Sequence, residues 1–245
     1  MRQLNTFGRY LKKKYHKPVK KIPLSISGFT CPNIDGRVGK GGCTYCENES
    51  FSPNMLTTKS KFFLNPDSLE NPLLKQQLKE IDFQYLATSN RFKTEMGITD
   101  YIAYFQSFSN TYAPLDTLKA LYSHALSKPG MVGISIGTRA DCVEEGLFEY
   151  LAELSKDVEV WIEFGIQSTY NSVLDGINRA ESFEQIAMRI KEAKSYGLNV
   201  CGHMIFGLPG ESVEMMKEGM KRVYELDIDS IKFHPCYVTK NTALA

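Results

Sequence analysis

No apolar run in this sequence approaches the roughly 20 residues a membrane helix requires, so nothing in it reads as a membrane span. Net charge is almost absent, at +1, which removes any overall electrostatic footprint for nucleic acid. The basic N-terminus, MRQLNTFGRYLKKKYHKPVKK, lacks the apolar core of a secretory signal. No repeat of fixed period and no low-complexity tract is visible. These absences place the chain in the cytoplasm by default. Disulfides are rare there, and clustered cysteines point to metal binding or catalysis.

What is present is ordinary in bulk. The 245 residues are 42% hydrophobic and 23% charged, which suits a globular chain with a sizeable core. Strand-like and helix-like segments alternate. Strands are predicted at 21–27, 101–106, 131–137, 158–167, 198–207 and 230–238. Helices are predicted within 65–88, from Pro114 through Leu126, near 144–155, near 182–195 and from Gly210 to Leu226. Such alternation predicts a parallel sheet with right-handed crossovers.

Several predicted strands have one polar parity. Ser135, Gly137 and Arg139 share a face, as do Glu163, Gly165 and Gln167, then Cys201 and His203, then Lys232, His234 and Cys236. The opposite parity is apolar: Ile134 and Ile136; Ile162, Phe164 and Ile166; Met204 and Phe206. Parallel strands covered on both sides are usually apolar throughout. A polar side must line a cavity or pair its groups. The pattern therefore favours a barrel or half-barrel with a polar interior over a flat sheet, expected as one domain over 1–245 with a basic arm at 1–20.

Three of the six cysteines fall in TCPNIDGRVGKGGCTYCENESF, residues 30–51, at the C-terminal end of the first predicted strand. That end carries the site in parallel α/β folds. Cys31, Cys43 and Cys46 make only three local ligands, one short of a structural zinc site. An iron–sulfur cluster held by three thiolates keeps one iron open for another ligand. The glycines between them let backbone amides approach the sulfides, and Tyr45 stands where it can shield a cluster from water. Cys142, Cys201 and Cys236 read as core thiols.

With these residues in view, the chain resembles the radical S-adenosylmethionine (SAM) superfamily. The usual cysteine spacing there is three residues and then two. This chain keeps the second half and lengthens the first gap to eleven, which resembles the branch related to the Elongator catalytic subunit, of the bacterial YhcC/YtqA type. YIAYFQSFSNTYAP, GISIGTRADC, WIEFGIQSTYNSVLDGINRA and HMIFGLP agree in order along the chain. The resemblance implies a partial six-stranded (β/α)6 TIM-like barrel with a short or missing C-terminal extension. It also implies a [4Fe–4S] cluster on Cys31, Cys43 and Cys46 and reductive cleavage of SAM to a 5′-deoxyadenosyl radical.

Further site residues follow from the resemblance. Gln167 and Arg179 match a Gln and an Arg that approach the cofactor in the related coproporphyrinogen dehydrogenases. Gln167 would bond ribose hydroxyls and Arg179 the SAM carboxylate. Gln106 and Ser107 stand where the superfamily contacts the SAM amino group, although the glycine-rich glutamate motif often found there is absent. Ser135, Glu163 and His203 are further cofactor candidates. Arg139, Asp141 and His234 are substrate candidates. The implied partners are SAM, a reductant such as flavodoxin or ferredoxin, and tRNA modified at the wobble-uridine side chain and held by Lys12, Lys13 and Lys14 of the arm. No membrane partner is expected. Two other readings stay open on the residues alone: a radical enzyme for a small metabolite, and an iron–sulfur electron carrier or zinc-binding module.

Overall fold

The computed structural model describes residues 4–47 and 62–245. Arg2 of the basic arm and the end of the 30–51 stretch lie outside the described residues. Six strands form a single sheet, each parallel to its neighbour, in the order of the sequence. They are β1 (Val19–Leu24), β2 (Asp100–Phe105), β3 (Met131–Thr138), β4 (Glu159–Gln167), β5 (Asn199–Phe206) and β6 (Ser230–Pro235). β1 and β6 are the two edges, so the sheet is an open half-barrel. No helix among the described residues is long and apolar enough to cross a membrane.

The helices are α1 (Phe7–Tyr15), α2 (Pro32–Asp35), α3 (Leu74–Met96), α4 (Leu115–Leu126), α5 (Leu147–Leu154), α6 (Asn171–Gly176), α7 (Phe183–Ser195) and α8 (Val213–Tyr224). α7 begins where its sequence marks a start. Ser182 Oγ accepts from the Gln185 amide while Gln185 Oε1 accepts from the Ser182 amide, a reciprocal cap that satisfies two orphan donors. The apolar parity of the strands packs against the helices, with Ile134, Ile136, Ile162, Phe164, Ile166 and Val200 all 0% exposed. Each such burial contributes roughly 1.5–3 kcal/mol.

Two boundaries differ from expectation for visible reasons. β1 stops at Leu24, not residue 27, because the Ser25 and Ser27 amides donate to the side chains of Gln84 and Glu80 on α3, at 2.8 and 2.9 Å. α3, expected within 65–88, starts at Leu74 and runs on to Met96. Asn65 and Asn71 accept from the amides of Asp67 and Leu73, and such side-chain turns compete with helix.

The N-terminal arm is a plug. α1 lies across the N-terminal ends of the strands, opposite the cysteine loop. Leu11 packs there with Val19 and Ile102. Lys14 pairs with Glu159, the first residue of β4, and Lys17 Nζ lies 2.6 Å from Asp100, the first residue of β2. Tyr10 and Trp161 also donate to Glu159, at 2.8 and 2.7 Å. The arm expected to hold RNA through Lys12, Lys13 and Lys14 therefore stands away from the cysteine loop. Lys14 is engaged in the fold, and the exposed Lys12 and Lys13 are at the far end of the barrel from the cysteines.

Candidate active site

The cysteine loop leaves β1 and turns through the single turn of α2. Cys31 is half-buried, Cys43 buried and Cys46 exposed, and none is disulfide-bonded. All three line one cavity of about 190 Å³, together with Tyr45, Gln106, Arg139, Gln167 and Arg179. Burial pushes the Cys31 thiol up, against the pull of the nearby Arg139 and Arg179 guanidiniums. Those two cations favour the thiolate that a metal cluster needs.

A polar clamp holds the loop in place. Asn33 Nδ2 donates to the Asn178 carbonyl at 2.6 Å and lies 3.7 Å from Cys43 Sγ. Asn178 Nδ2 donates back to the Gly42 carbonyl at 2.7 Å, and the Thr44 amide to the Ile177 carbonyl at 2.9 Å. The segment after β6 also returns here, with the Leu244 amide donating to the Thr44 carbonyl at 2.9 Å. Gly39 passes so close to Asn33 that a Cβ would sit 2.0 Å from its Oδ1. Gly39→Ala should therefore displace Asn33 from Asn178, and iron retained after anaerobic reconstitution should fall to less than about half the wild-type value, since loss of supporting contacts commonly costs 10–100-fold in metal affinity. Wild-type iron in that variant would show the clamp to be irrelevant to the cluster.

The donor set fits a cluster better than a zinc ion. A tetrahedral zinc with thiolates at 2.3 Å sets sulfur–sulfur separations of about 3.8 Å. Among the described residues, the one triad of ligand atoms mutually within 4.8 Å is Glu163, Cys201 and His203, not the loop cysteines. The loop thiols are thus more widely spread, around a cavity wall that also carries two cations.

Behind them lies a buried ionic clasp. Arg139 forms two hydrogen bonds to Asp141, at 2.8 and 2.6 Å, and donates to the Arg179 carbonyl at 2.9 Å. Arg179 is 4% exposed. Its Nη2 donates to the Gly165 carbonyl at 2.7 Å and lies 2.8 Å from Glu181 Oε2, an ion pair without an aligned hydrogen bond to that oxygen. Its Nε has no hydrogen-bond partner. Burial works against the Arg179 charge, but Glu181 and Cys43 more than restore it, so it stays protonated. Arg179 is not a surface ion pair. Asp141 is occupied by Arg139 and lines neither cavity described here, while Arg139 lines the cysteine cavity.

Gln167 ends β4 in a conformation that few side chains adopt, with φ of 67°. The Ser168 amide donates across it to the Ile166 carbonyl at 2.9 Å, closing a strained three-residue turn. The ladder to β5 skips a residue there. Backbone strain of this kind clusters at functional sites, and Gln167 faces both this cavity and a second one.

The second cavity, about 330 Å³, occupies the barrel interior. It shares Tyr45, Cys46, Gln106, Gln167 and His203 with the first and adds Tyr104, Lys232 and His234. The polar parity read from the strands does line this interior. Register pairs Gly137 with Glu163, Glu163 with Cys201 and His203 with Lys232. Glu163 accepts from Lys21 and Ser135, and from His203 Nε2 at 2.6 Å. Burial opposes its charge, yet His203 and Lys21 hold the carboxyl well below its usual range. Burial keeps His203 neutral despite Glu163, so its Nε2–H points at the carboxylate. Ser135 is thereby spent inside the network, and Ser107 Oγ lies buried 2.8 Å from Ser25 Oγ. Neither lines either of these two cavities, whereas Gln106, Glu163, Gln167, Arg179, His203 and His234 do.

Sequence reasoning missed Asn33, Asn178, Glu181 and Lys21. The first two carried no local signal. Glu181 stands two residues after Arg179 in the quoted motif, and its charge next to an expected buried arginine was the available clue.

Comparison with known proteins follows this geometry. The Radical SAM superfamily model matches residues 34–223. Protein YhcC of Escherichia coli K12 is 34% identical over 243 residues, covering 99% of this chain and 71% of that one. The tRNA uridine(34) acetyltransferase of Methanocaldococcus infernus is 31% identical over 121 residues, 48% of this chain and 22% of its own. Among solved structures, the archaeal M. infernus Elp3 superimposes with a TM-score of 0.59 at 18% identity, covering 92% of this chain and 47% of that chain. The present chain thus spans about half of that structure's length.

Proposed function

Because the chain belongs to the radical SAM superfamily, whose members use a [4Fe–4S] cluster and SAM, we propose that it generates a 5′-deoxyadenosyl radical at the mouth of its half-barrel and uses it to modify tRNA, at the wobble-uridine side chain. One observation carries the reading: the cavity lined by Cys31, Cys43 and Cys46 opens through shared walls into a polar barrel interior.

Cys31, Cys43 and Cys46 would hold the cluster. When bound, it supplies the electron, drawn from a flavodoxin- or ferredoxin-type donor, that splits a carbon–sulfur bond of SAM. The chain's own residues bind, orient and shield. Gln167 presents an amide to ribose hydroxyls, and Arg179 presents its unpartnered Nε to the cofactor's carboxylate. Gln106 faces the same space from the end of β2. Tyr45 and the helix-backed sheet keep water from the reactive carbon.

The tRNA assignment is supported by the partial likeness to the tRNA uridine(34) acetyltransferase, and the interior cavity has the size of a small-ligand pocket. A second reading, a small metabolite, is favoured by the position of α1, which removes the arm from the mouth. Anaerobic reconstitution followed by 5′-deoxyadenosine assay, with and without unmodified tRNA, tests both. Production stimulated by tRNA and not by its free nucleosides supports the first reading. Production indifferent to tRNA leaves the metabolite, and no 5′-deoxyadenosine at all overturns the radical reaction.

A further inference from the structure

The interior cavity holds a cation that forms no ion pair with any of the described residues. Lys232 projects from β6 into it and is half-buried. Buried or half-buried lysines are normally paired with a carboxylate. Among the described residues, no carboxylate lies within ion-pairing distance of Lys232. Among the described residues its Nζ donates to the Tyr104 hydroxyl, at 3.0 Å, and lies 5.0 Å from the centre of the Tyr104 ring.

The nearest buried acid is already committed. Glu163 takes Lys21 and Ser135 on one oxygen and His203 on the other. Lys21 and Lys232 thus both approach a carboxylate whose two oxygens are already taken by Lys21, Ser135 and His203. The imidazoles of His203 and His234, 5.4 Å apart, complete the wall beside Lys232. Burial and Lys232 together push His234 down to about 4, so it enters as a neutral donor or acceptor. The remaining carboxylate in the lining, Glu47, is on the cysteine loop beside Cys46. The same charges argue against a metal ion on Glu163, Cys201 and His203, since Lys21 already occupies the carboxylate and burial with Glu163 pushes the Cys201 thiol up to about 12.

We propose that Lys232, with Tyr104, His203 and His234 around it, binds an oxyanion of the substrate, a phosphate or a carboxylate, and so suspends the substrate in the barrel interior against the cofactor cavity. Lys232 Nζ supplies the charge. Tyr104 holds the ammonium in place, and the His234 ring supplies a hydrogen bond. Because Gln167 and His203 belong to both cavities, a group anchored at Lys232 lies next to the cofactor space rather than remote from it. The inference rests on the radical reading only for what happens to the substrate once it is bound.

The test uses reconstituted full-length protein with SAM present and inorganic phosphate as the probe, followed by phosphorus NMR line broadening, with acetate as competitor. Saturable binding is expected in the wild type. Lys232→Met should weaken it by at least about tenfold, as loss of a charge partner does, while Lys232→Arg stays within about threefold. Circular dichroism melting checks that both variants fold. Acetate competing at lower concentration than phosphate assigns a carboxylate-bearing substrate, and the reverse assigns a nucleotide phosphate. Binding unchanged in Lys232→Met, no saturable binding, or phosphate displaced competitively by SAM would each overturn the proposal, the last because Lys232 would then serve the cofactor. Wild-type 5′-deoxyadenosine production in the same preparation separates the two ideas. Its absence with Lys232-dependent phosphate binding removes the reaction and leaves the site.

Discussion

Single replacement of Cys31, Cys43 or Cys46 by alanine is expected to take iron from about four atoms per chain after reconstitution to near zero, and to abolish 5′-deoxyadenosine production with it. Three thiolates are the minimum that holds a cubane with one open iron, so no two of them compensate for the third. The same measurement on Cys201→Ala and Cys236→Ala should give wild-type iron. Burial raises both thiols, and both stand on or after strands on the far wall, β5 and β6. Cys142 is wholly buried, with its thiol 3.4 Å from Asp141 Oδ1. Full iron in any one of the three loop variants, or a colourless wild type carrying a single tight zinc, would remove the cluster from this loop.

Arg179→Ala is expected to lose both stability and cofactor. It strands the Glu181 carboxylate, which is 6% exposed, with Arg139 at 3.7 Å as its remaining cation. Breaking a buried pair by removing one partner costs about 3–5 kcal/mol. For a chain of this size, that lowers Tm by on the order of 10 °C. SAM affinity should fall by more than about tenfold as well. The double variant Arg179→Met with Glu181→Gln separates the two effects. Removing both charges restores most of the Tm, because no uncompensated ion remains, but it does not restore SAM binding. If the double variant recovers both, Arg179 is a strut between β4 and the cysteine loop and has no contact with the cofactor.

Much of this was legible in the sequence because it rests on local pattern. The six strands appear within a few residues of expectation, since a parallel strand backed by helices needs a continuous apolar parity, and Ile134, Ile136, Ile162, Phe164 and Ile166 supply it. The polar parity announced a lined interior. Ser182 followed by Gln185 marked the start of α7. The cysteine spacing, set on a glycine-rich loop after the first strand, announced the site.

The contacts that decide what the site can do were not legible, because they join residues far apart in the chain. Asn33 meets Asn178, and Lys21 meets Glu163. No period or spacing encodes such pairs. The basic arm shows the difference most clearly. The six lysines among the first 21 residues of the chain read as an RNA contact or, as such runs more often are, a solvated helix end. Only the fold places Lys14 against Glu159 and sets α1 at the closed end of the barrel.

By itself, then, the order of residues determined the strand–helix alternation, the grouping of three cysteines on one loop and the polar lining, because each depends on neighbours within a turn or a strand. The tertiary structure decided which charges cancel. Closing the sheet into a half-barrel brings Glu163 to Lys21, Ser135 and His203, and Arg179 to Glu181. It leaves Lys232 facing the cavity with a tyrosine hydroxyl as its polar partner. Whether a charge is satisfied depends on what lies within about 4 Å of it in a medium of low dielectric, and that distance is set by the curvature of the sheet rather than by separation along the chain.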